Sequence, residues 1–167
     1  CYYASGQKNE ALYHYDFITT KPNNNYFTEA LKYAGEITFD SENYKLALGH
    51  FSTLENVGVN QEDLSLSKRG QMYCFYYLDN FQSTIIYAKK VLLLNHPNDK
   101  VVEDANLFLA NSYKELGLLD SALISYENVI ATAKSEAAAE AKYNISHIYF
   151  LNKEYEINQS ISKNPIK

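Results

Sequence analysis

The sequence predicts an all-α protein made of antiparallel helix pairs, and three observations lead to this fold class. One pattern of aromatic and small residues recurs at a nearly constant spacing along the 167-residue chain. Residues that favour turns, mainly Gly, Asn and Asp, stand where such pairs would need their connections. The chain also carries no clear strand signal, since its aromatic stretches fall in the middle of the recurring units.

The recurring pattern is an aromatic residue, an alanine nine residues later and a second aromatic four residues beyond. Tyr113, Ala122 and Tyr126 show it in full. The alanine position recurs at steps of 36, 37, 38 and 36 residues, which is too steady for a chance match. Such a period predicts a repeated unit of two helices, A and then B. The residues at the alanine position are Ala11, Ala47, Thr84, Ala122 and Asn158.

Small side chains indicate where the two helices of a unit meet. Gly35 and Ala110 stand on helix A at the same place in the repeat, and Ala47 and Ala122 stand on helix B. We expect Gly35 to face Ala47 and Ala110 to face Ala122, because small residues let helix axes approach to about 8–10 Å. Met72 occupies the helix A position in the third unit, so we expect a wider or shifted contact there.

Turn signals divide the chain into its expected helices. Gly6 and Gly117 are expected to stop helix A before helix B begins. The corresponding turns elsewhere are Ser41–Asn43, Asp79-Asn80 and Asn152-Lys153, because Asn and Asp tolerate the left-handed backbone conformation. The expected helices span 8–20, 26–40, 44–56, 62–78, 80–95, 99–116, 119–133, 136–151 and 154–163.

Two segments carry a resemblance to a known family. The recurring pattern resembles the tetratricopeptide repeat (TPR) family, whose unit is about 34 residues long, and Glu140–Phe150 and Leu31–Ile37 are especially similar to repeats of bacterial cell-envelope TPR proteins. The resemblance covers nearly the whole chain and implies a right-handed superhelical solenoid of about four to five repeats, the first and last incomplete. It implies one solenoid domain over 1–167, with units at approximately 1–25, 26–61, 62–98, 99–134 and 135–167.

The same resemblance implies a site. In the TPR family, helix A of each unit lines a concave groove that holds a partner peptide or helix. Aromatic rings at helical spacing are also typical of a hydrophobic core, so groove and core remain alternatives for this row. By position in the repeat, the groove residues would be Glu36, Phe39, Arg69, Tyr73, Tyr76, Tyr77, Asn111, Lys114, Tyr143, His147 and Phe150.

The leading functional hypothesis is therefore a protein–protein interaction module with an aromatic-lined groove. The alternative is a structural spacer or assembly adaptor that contacts its neighbours through the edges or ends of the stack. Exposed groove rings would favour the first hypothesis. Buried groove rings together with bare apolar faces on the terminal helices would favour the second.

Charge and hydropathy narrow the class of partner. The chain has a net charge of −5 and a pI near 5.4, which argues against nucleic acid as the main partner. The longest apolar run, Val91–Leu94, is far shorter than a membrane-spanning helix requires. The sequence thus favours a protein or peptide partner without direct membrane insertion, and it leaves the oligomeric state open.

The sequence indicates no catalytic, cofactor or metal site, and we expect a protein that is not an enzyme. No His or Cys pair has the spacing of metal ligands. His14 and His50 share one position on helix B, where we expect both to be solvated. Cys1 and Cys74 share a helix A position that Ile occupies elsewhere, so we expect packed, unreactive thiols.

The first residues allow two interpretations. A cleaved bacterial lipoprotein begins with Cys, but a small polar tether usually follows, whereas Tyr2, Tyr3 and Ala4 follow Cys1 here. We therefore expect a fragment of a longer protein. The similarity to repeats of bacterial cell-envelope TPR proteins leans towards the cell envelope as location, with the cytoplasm as the alternative.

Overall fold

The computed structural model describes residues 8–22, 24–58, 60–94, 99–133 and 136–163. All regular secondary structure within these ranges is α-helical, which confirms the predicted all-α class. Gly6, Tyr3 and Cys1 lie outside the described residues. The helices are α1 (Lys8–Thr19), α2 (Phe27–Asp40), α3 (Tyr44–Val57), α4 (Gln61–Tyr77), α5 (Phe81–Leu92), α6 (Asp99–Glu115), α7 (Leu119–Thr132) and α8 (Glu136–Lys163).

One predicted turn is wrong. The sequence analysis placed a turn at Asn152-Lys153 and a separate helix at 154–163, but α8 runs without interruption from Glu136 to Lys163. The physical reason is local: no Gly or Pro stands anywhere in this segment, and a single Asn costs a helix only a few tenths of a kcal/mol relative to better helix formers. The other predicted helices match the observed bounds to within three residues.

Three helix pairs are joined by the same tight turn. In each one a residue adopts the left-handed conformation: Glu42 (φ 59°), Asp79 (φ 56°) and Gly117 (φ 72°). The following N–H returns to a carbonyl of the last helical turn, from Asn43 to Thr38 and from Asn80 to Phe75, at 2.9 Å in both cases. This is the Schellman arrangement that satisfies the carbonyls at a helix end.

In two of these turns, an asparagine caps the N-terminus of the next helix. The side chain of Asn43 accepts a hydrogen bond from the N–H of Leu46, and that of Asn80 accepts one from Ser83. One short segment therefore ends helix A and caps helix B, which fixes the antiparallel return. The predicted stop at Gly117 is confirmed.

The helices form two compact units, Cys1–Pro97 and Asn98–Lys167. Each of them is larger than one repeat, and from here on the first and second unit mean these two parts of the chain. In the first unit, each of the helices α1 to α4 packs against the next one in the chain. In the second unit, α7 packs against both α6 and α8. The A helices also contact each other directly, α2 with α4 and α6 with α8. Among the described residues of the first unit, the B helices α3 and α5 make no such contact.

The core of the second unit contains the predicted pair Ala110 and Ala122, both fully buried and in one cluster with Tyr126. The first unit differs from the prediction. The open side of Gly35 meets the ring of Phe51 rather than Ala47. Phe51 follows Ala47 by one helical turn, and its ring fills the space that the missing side chain leaves.

Candidate protein-binding face

Six aromatic side chains in the first unit contact one another at the ends of four helices. We call them the ring cluster. Four of them, on α2 and α4, are residues that the family resemblance placed in a groove; the other two begin α3 and α5. The members are Phe39, Tyr44, Tyr73, Tyr76, Tyr77 and Phe81.

Phe39 lies at the centre of the ring cluster. Its centroid is 5.3 Å from that of Tyr44, 5.9 Å from Tyr73 and 5.8 Å from Tyr77. The rings of Tyr44 and Tyr77 are stacked, 4.9 Å apart and 13° from parallel. Tyr76 meets Tyr77 edge to face at 5.7 Å. These distances lie in the range where aromatic pairs attract beyond their buried area.

The ring cluster is open to solvent. Tyr77 is 48% exposed, and the other five side chains are half-buried. A ring that belonged only to the core would be covered completely. The cluster therefore offers partly exposed aromatic surface to a potential partner, and its four tyrosines add hydroxyl groups.

The tight turns explain why the rings converge. Phe39 and Tyr76 precede the turn that ends their A helix, and Tyr44 and Phe81 are the first residues of the following B helices. Each turn therefore sets an aromatic of helix B beside one of helix A. Sequence reasoning missed Tyr44 and Phe81. The signal that could have found them is the shared pattern of Asn followed by an aromatic, at Asn43-Tyr44 and Asn80-Phe81.

A pocket of about 150 Å³ adjoins the ring cluster between α2 and α4. The ring of Phe51 lies against the backbone of Gly70, and both residues line the pocket. The pocket is lined by both apolar and charged side chains. The lining residues are Glu36, Phe39, Asp40, Phe51, Leu66, Arg69, Gly70 and Tyr73.

Two carboxylates give the pocket its electrostatic character. Burial raises the pKa of Glu36, and the neighbouring charge of Asp40 adds to this, although Arg69 acts in the opposite direction. Asp40 forms an exposed ion pair with Lys8, whose Nζ lies 2.7 Å from Asp40 Oδ2. Burial is the largest cause and outweighs the opposing charges of Arg69 and Lys32, so a further cation nearby would favour the ionised form of Glu36.

The two A helices of this unit are also held together by an ion pair. Lys32 on α2 pairs with Asp63 on α4, whose carboxylate is almost completely buried. The hydrogen bond to Asp63 raises the pKa of Lys32, so the ammonium is favoured. This contact fixes the spacing of the helices that carry Glu36, Phe39, Arg69 and Tyr73.

In the second unit, two predicted groove residues take part in structural hydrogen bonds. Asn111 is buried: its Oδ1 accepts a 2.5 Å bond from the hydroxyl of Tyr126, and its Nδ2 donates to Glu140 at 3.1 Å. Lys114 is half-buried and donates to Oδ1 of Asn144 at 3.0 Å. Asn111 thus links α6 to both α7 and α8 instead of facing solvent.

The other three predicted residues of the second unit lie on the exposed surface of α8. Tyr143 is 68% exposed and Phe150 is 58% exposed. His147 is exposed as well, and its ring stacks on that of Tyr143 at 6.1 Å and 4°. These three form a smaller aromatic surface in the second unit.

Two residues with distinctive chemistry are buried in the first unit. His50 is only 8% exposed, so its predicted solvated position is wrong: Asp16 of α1 lies 3.5 Å from His50 Nε2. Burial lowers the pKa of His50, and Asp16 opposes this effect. Cys74 is fully buried, as predicted, and burial raises the pKa of its thiol to about 12. A protonated, covered thiol is a poor nucleophile.

Within the described ranges, no three His, Cys, Asp or Glu side chains converge as metal ligands. None of the helices described is both long and apolar enough to span a membrane. A scan against models of known protein families gives no match to this chain, and a search of curated proteins gives no similar sequence.

Proposed function

We propose that this chain is a TPR-type interaction module that binds an extended segment or helix of a partner protein at the ring cluster. The right-handed superhelical solenoid is part of this proposal. So is a binding rather than a catalytic role.

One observation carries the proposal. The family resemblance, applied by repeat position, selected Phe39, Tyr73, Tyr76 and Tyr77 as groove residues, and these four rings lie together with solvent access. If these rings served only to pack the helices, we would expect other side chains to cover them. Tyrosine is also enriched among residues that dominate interface energies.

Helix packing supports the same assignment. The A helices α2 and α4 contact each other, whereas the described parts of α3 and α5 do not. Helices on the inner side of a curved stack lie closer together than those on the outer side. This packing supports assigning the face that carries the ring cluster to the inner side, where an extended partner would contact successive helix pairs of the first unit.

The test is affinity capture from the source cell with the full chain as bait. A Tyr73→Ala, Tyr76→Ala, Tyr77→Ala variant should lose a captured protein that the wild type retains. The matched control replaces Tyr13, Ile86 and Ile124, three exposed residues of B helices, by Ala. Circular dichroism should show the same helicity in all three proteins. Equal capture by both variants would refute binding at the ring cluster.

A second candidate function, an assembly adaptor, is favoured by α8. Tyr149, Phe150 and Leu151 are consecutive on this helix, and each is about half exposed or more. Apolar groups grouped in this way favour contact with another protein surface. Light scattering at increasing protein concentration tests this role: association that Tyr149→Ser and Leu151→Ser abolish would support it, and a monomer at all concentrations would oppose self-assembly.

A further inference from the structure

We propose that the pocket beside the ring cluster takes the lysine or arginine side chain of an extended partner segment. This inference rests on the proposed function, because it names the chemistry of the partner at that same face. It adds a charge requirement that neither the ring cluster nor the repeat pattern implies.

The shape of the pocket suits one long side chain. About 150 Å³ is available between α2 and α4, which is the order of a single large residue. Phe39, Phe51 and Leu66 provide apolar walls. Lysine and arginine bury their methylene stems along such surfaces and keep the charged head at a polar rim.

The rim selects a cation over a neutral or acidic head group. Glu36 and Asp40 are one helical turn apart on α2, so their carboxylates lie on the same side of the helix. An apolar side chain that covered them would remove water from two carboxylates without replacing its hydrogen bonds, and a neutral polar one would supply donors but no opposite charge. An acidic side chain would add repulsion. An ammonium or guanidinium group supplies both opposite charge and donors.

A lysine of the chain itself already shows that this rim accepts an ammonium group. Lys8 Nζ lies 2.7 Å from Asp40 Oδ2, and both side chains are half exposed. An exposed pair of this kind is weak and readily exchanged. A partner cation can therefore share Asp40 with Lys8 or replace it, while Glu36 lies deeper and gains a third positive neighbour besides Arg69 and Lys32.

The remainder of the partner segment can contact the aromatic rings that extend from the pocket into the ring cluster. Tyr73 lines the pocket and also contacts Phe39 of the ring cluster. Phe39 in turn contacts the stacked pair Tyr44 and Tyr77. A segment anchored by its cation at the carboxylates therefore crosses tyrosine faces, which favour aliphatic groups, proline rings and further cations.

The experiment selects random 12-residue displayed peptides on the full chain and counter-selects on the Tyr73, Tyr76, Tyr77 triple Ala variant. We expect enriched peptides that share one Lys or Arg at a fixed place. Enriched peptides without a shared cation would overturn the charge requirement and leave the proposed function standing. No enrichment over the triple variant would refute the proposed function itself.

Variants then test the named carboxylates with one enriched peptide. Glu36→Gln with Asp40→Asn should weaken binding about tenfold, the order expected for loss of a charge-assisted hydrogen bond. Replacing the peptide lysine by norleucine should weaken binding to the wild type by the same factor. It should not weaken binding to the double variant any further. Lys8→Gln should tighten binding, and Glu10→Gln, on the exposed surface of α1, should leave it unchanged. Equal affinity of the double variant and wild type would overturn the inference.

Discussion

The ring of Phe51 lies directly against the backbone of Gly70. A Cβ atom at Gly70 would come within 2.5 Å of ring carbon Cδ2, and on the opposite edge a Cβ at Gly35 would come within 2.8 Å of Cε1. The ring of α3 is thus held between glycines of α2 and α4. It cannot move away from one of them without approaching the other.

Gly70→Ala should therefore lower the free energy of unfolding by about 1–3 kcal/mol, the usual cost of overpacking a filled core. Chemical denaturation followed by circular dichroism measures it. Gly49→Ala is the matched control, because a Cβ at that helical glycine meets nothing within 4 Å. It should stabilise the protein by about 0.5–1 kcal/mol through helix propensity. A destabilised Gly49→Ala together with a neutral Gly70→Ala would contradict this packing.

His50 should make stability depend on pH. Burial lowers its folded-state pKa below the ordinary value of 6.5, with Asp16 opposing. The unfolded chain therefore binds more protons between the folded pKa and pH 6.5, so the free energy of unfolding should fall as pH falls through this window. Titration of stability from pH 8 to 5 checks it. His50→Gln should flatten the profile, whereas His14→Gln, exposed at the same repeat position, should not.

Cys74 should react with a thiol reagent only when the fold opens. Its side chain is fully buried and its thiol pKa is raised to about 12, so thiolate is scarce at pH 8. We expect Ellman's reagent to modify Cys74 in a Cys1→Ser background slowly under native conditions and rapidly in guanidinium chloride. Rapid modification of the native protein would show that α4 is less protected than its burial indicates.

Ala122→Leu should force α6 and α7 apart, because Ala122 is fully buried in the cluster that contains Ala110. We expect a loss of about 1–3 kcal/mol in the free energy of unfolding, with a lower melting temperature. Ala131→Leu, at an exposed position of the same helix, adds the same volume outside the core and should change the midpoint little. An unchanged midpoint for Ala122→Leu would contradict the assigned repeat position.

Much of the fold was accessible from the sequence because helix A, turn and helix B recur with the same residue types. The spacing of Ala47 and Ala122 identified the B helices, and Gly117 identified a stop. The repeat pattern failed where local propensity decides. At Asn152-Lys153 the period predicted a turn, but no residue there prevents α8 from continuing.

The candidate site was accessible in part, for a similar reason. Position in the repeat found Phe39, Tyr73, Tyr76 and Tyr77, but it could not find a glycine that stands outside the pattern. Gly70 lines the pocket and makes room for the ring of Phe51, whereas the repeat pattern pointed to Met72 on the same helix, which is buried. The burial of Asn111 was equally hidden, because it depends on the hydroxyl of one particular residue, Tyr126.

The repeated tight turn has a consequence for how this chain can change length. In the three helix pairs that the structure describes, helix A and helix B are separated by a short stretch of equal length, residues 41–43, 78–80 and 116–118, whose hydrogen bonds leave no space for an extra residue. The connections from one hairpin to the next vary instead, from residues 58–60 to residues 20–26. We therefore expect insertions, fusion joints and new termini to be tolerated between hairpins. Within a hairpin, we expect the length of the connection to stay constant.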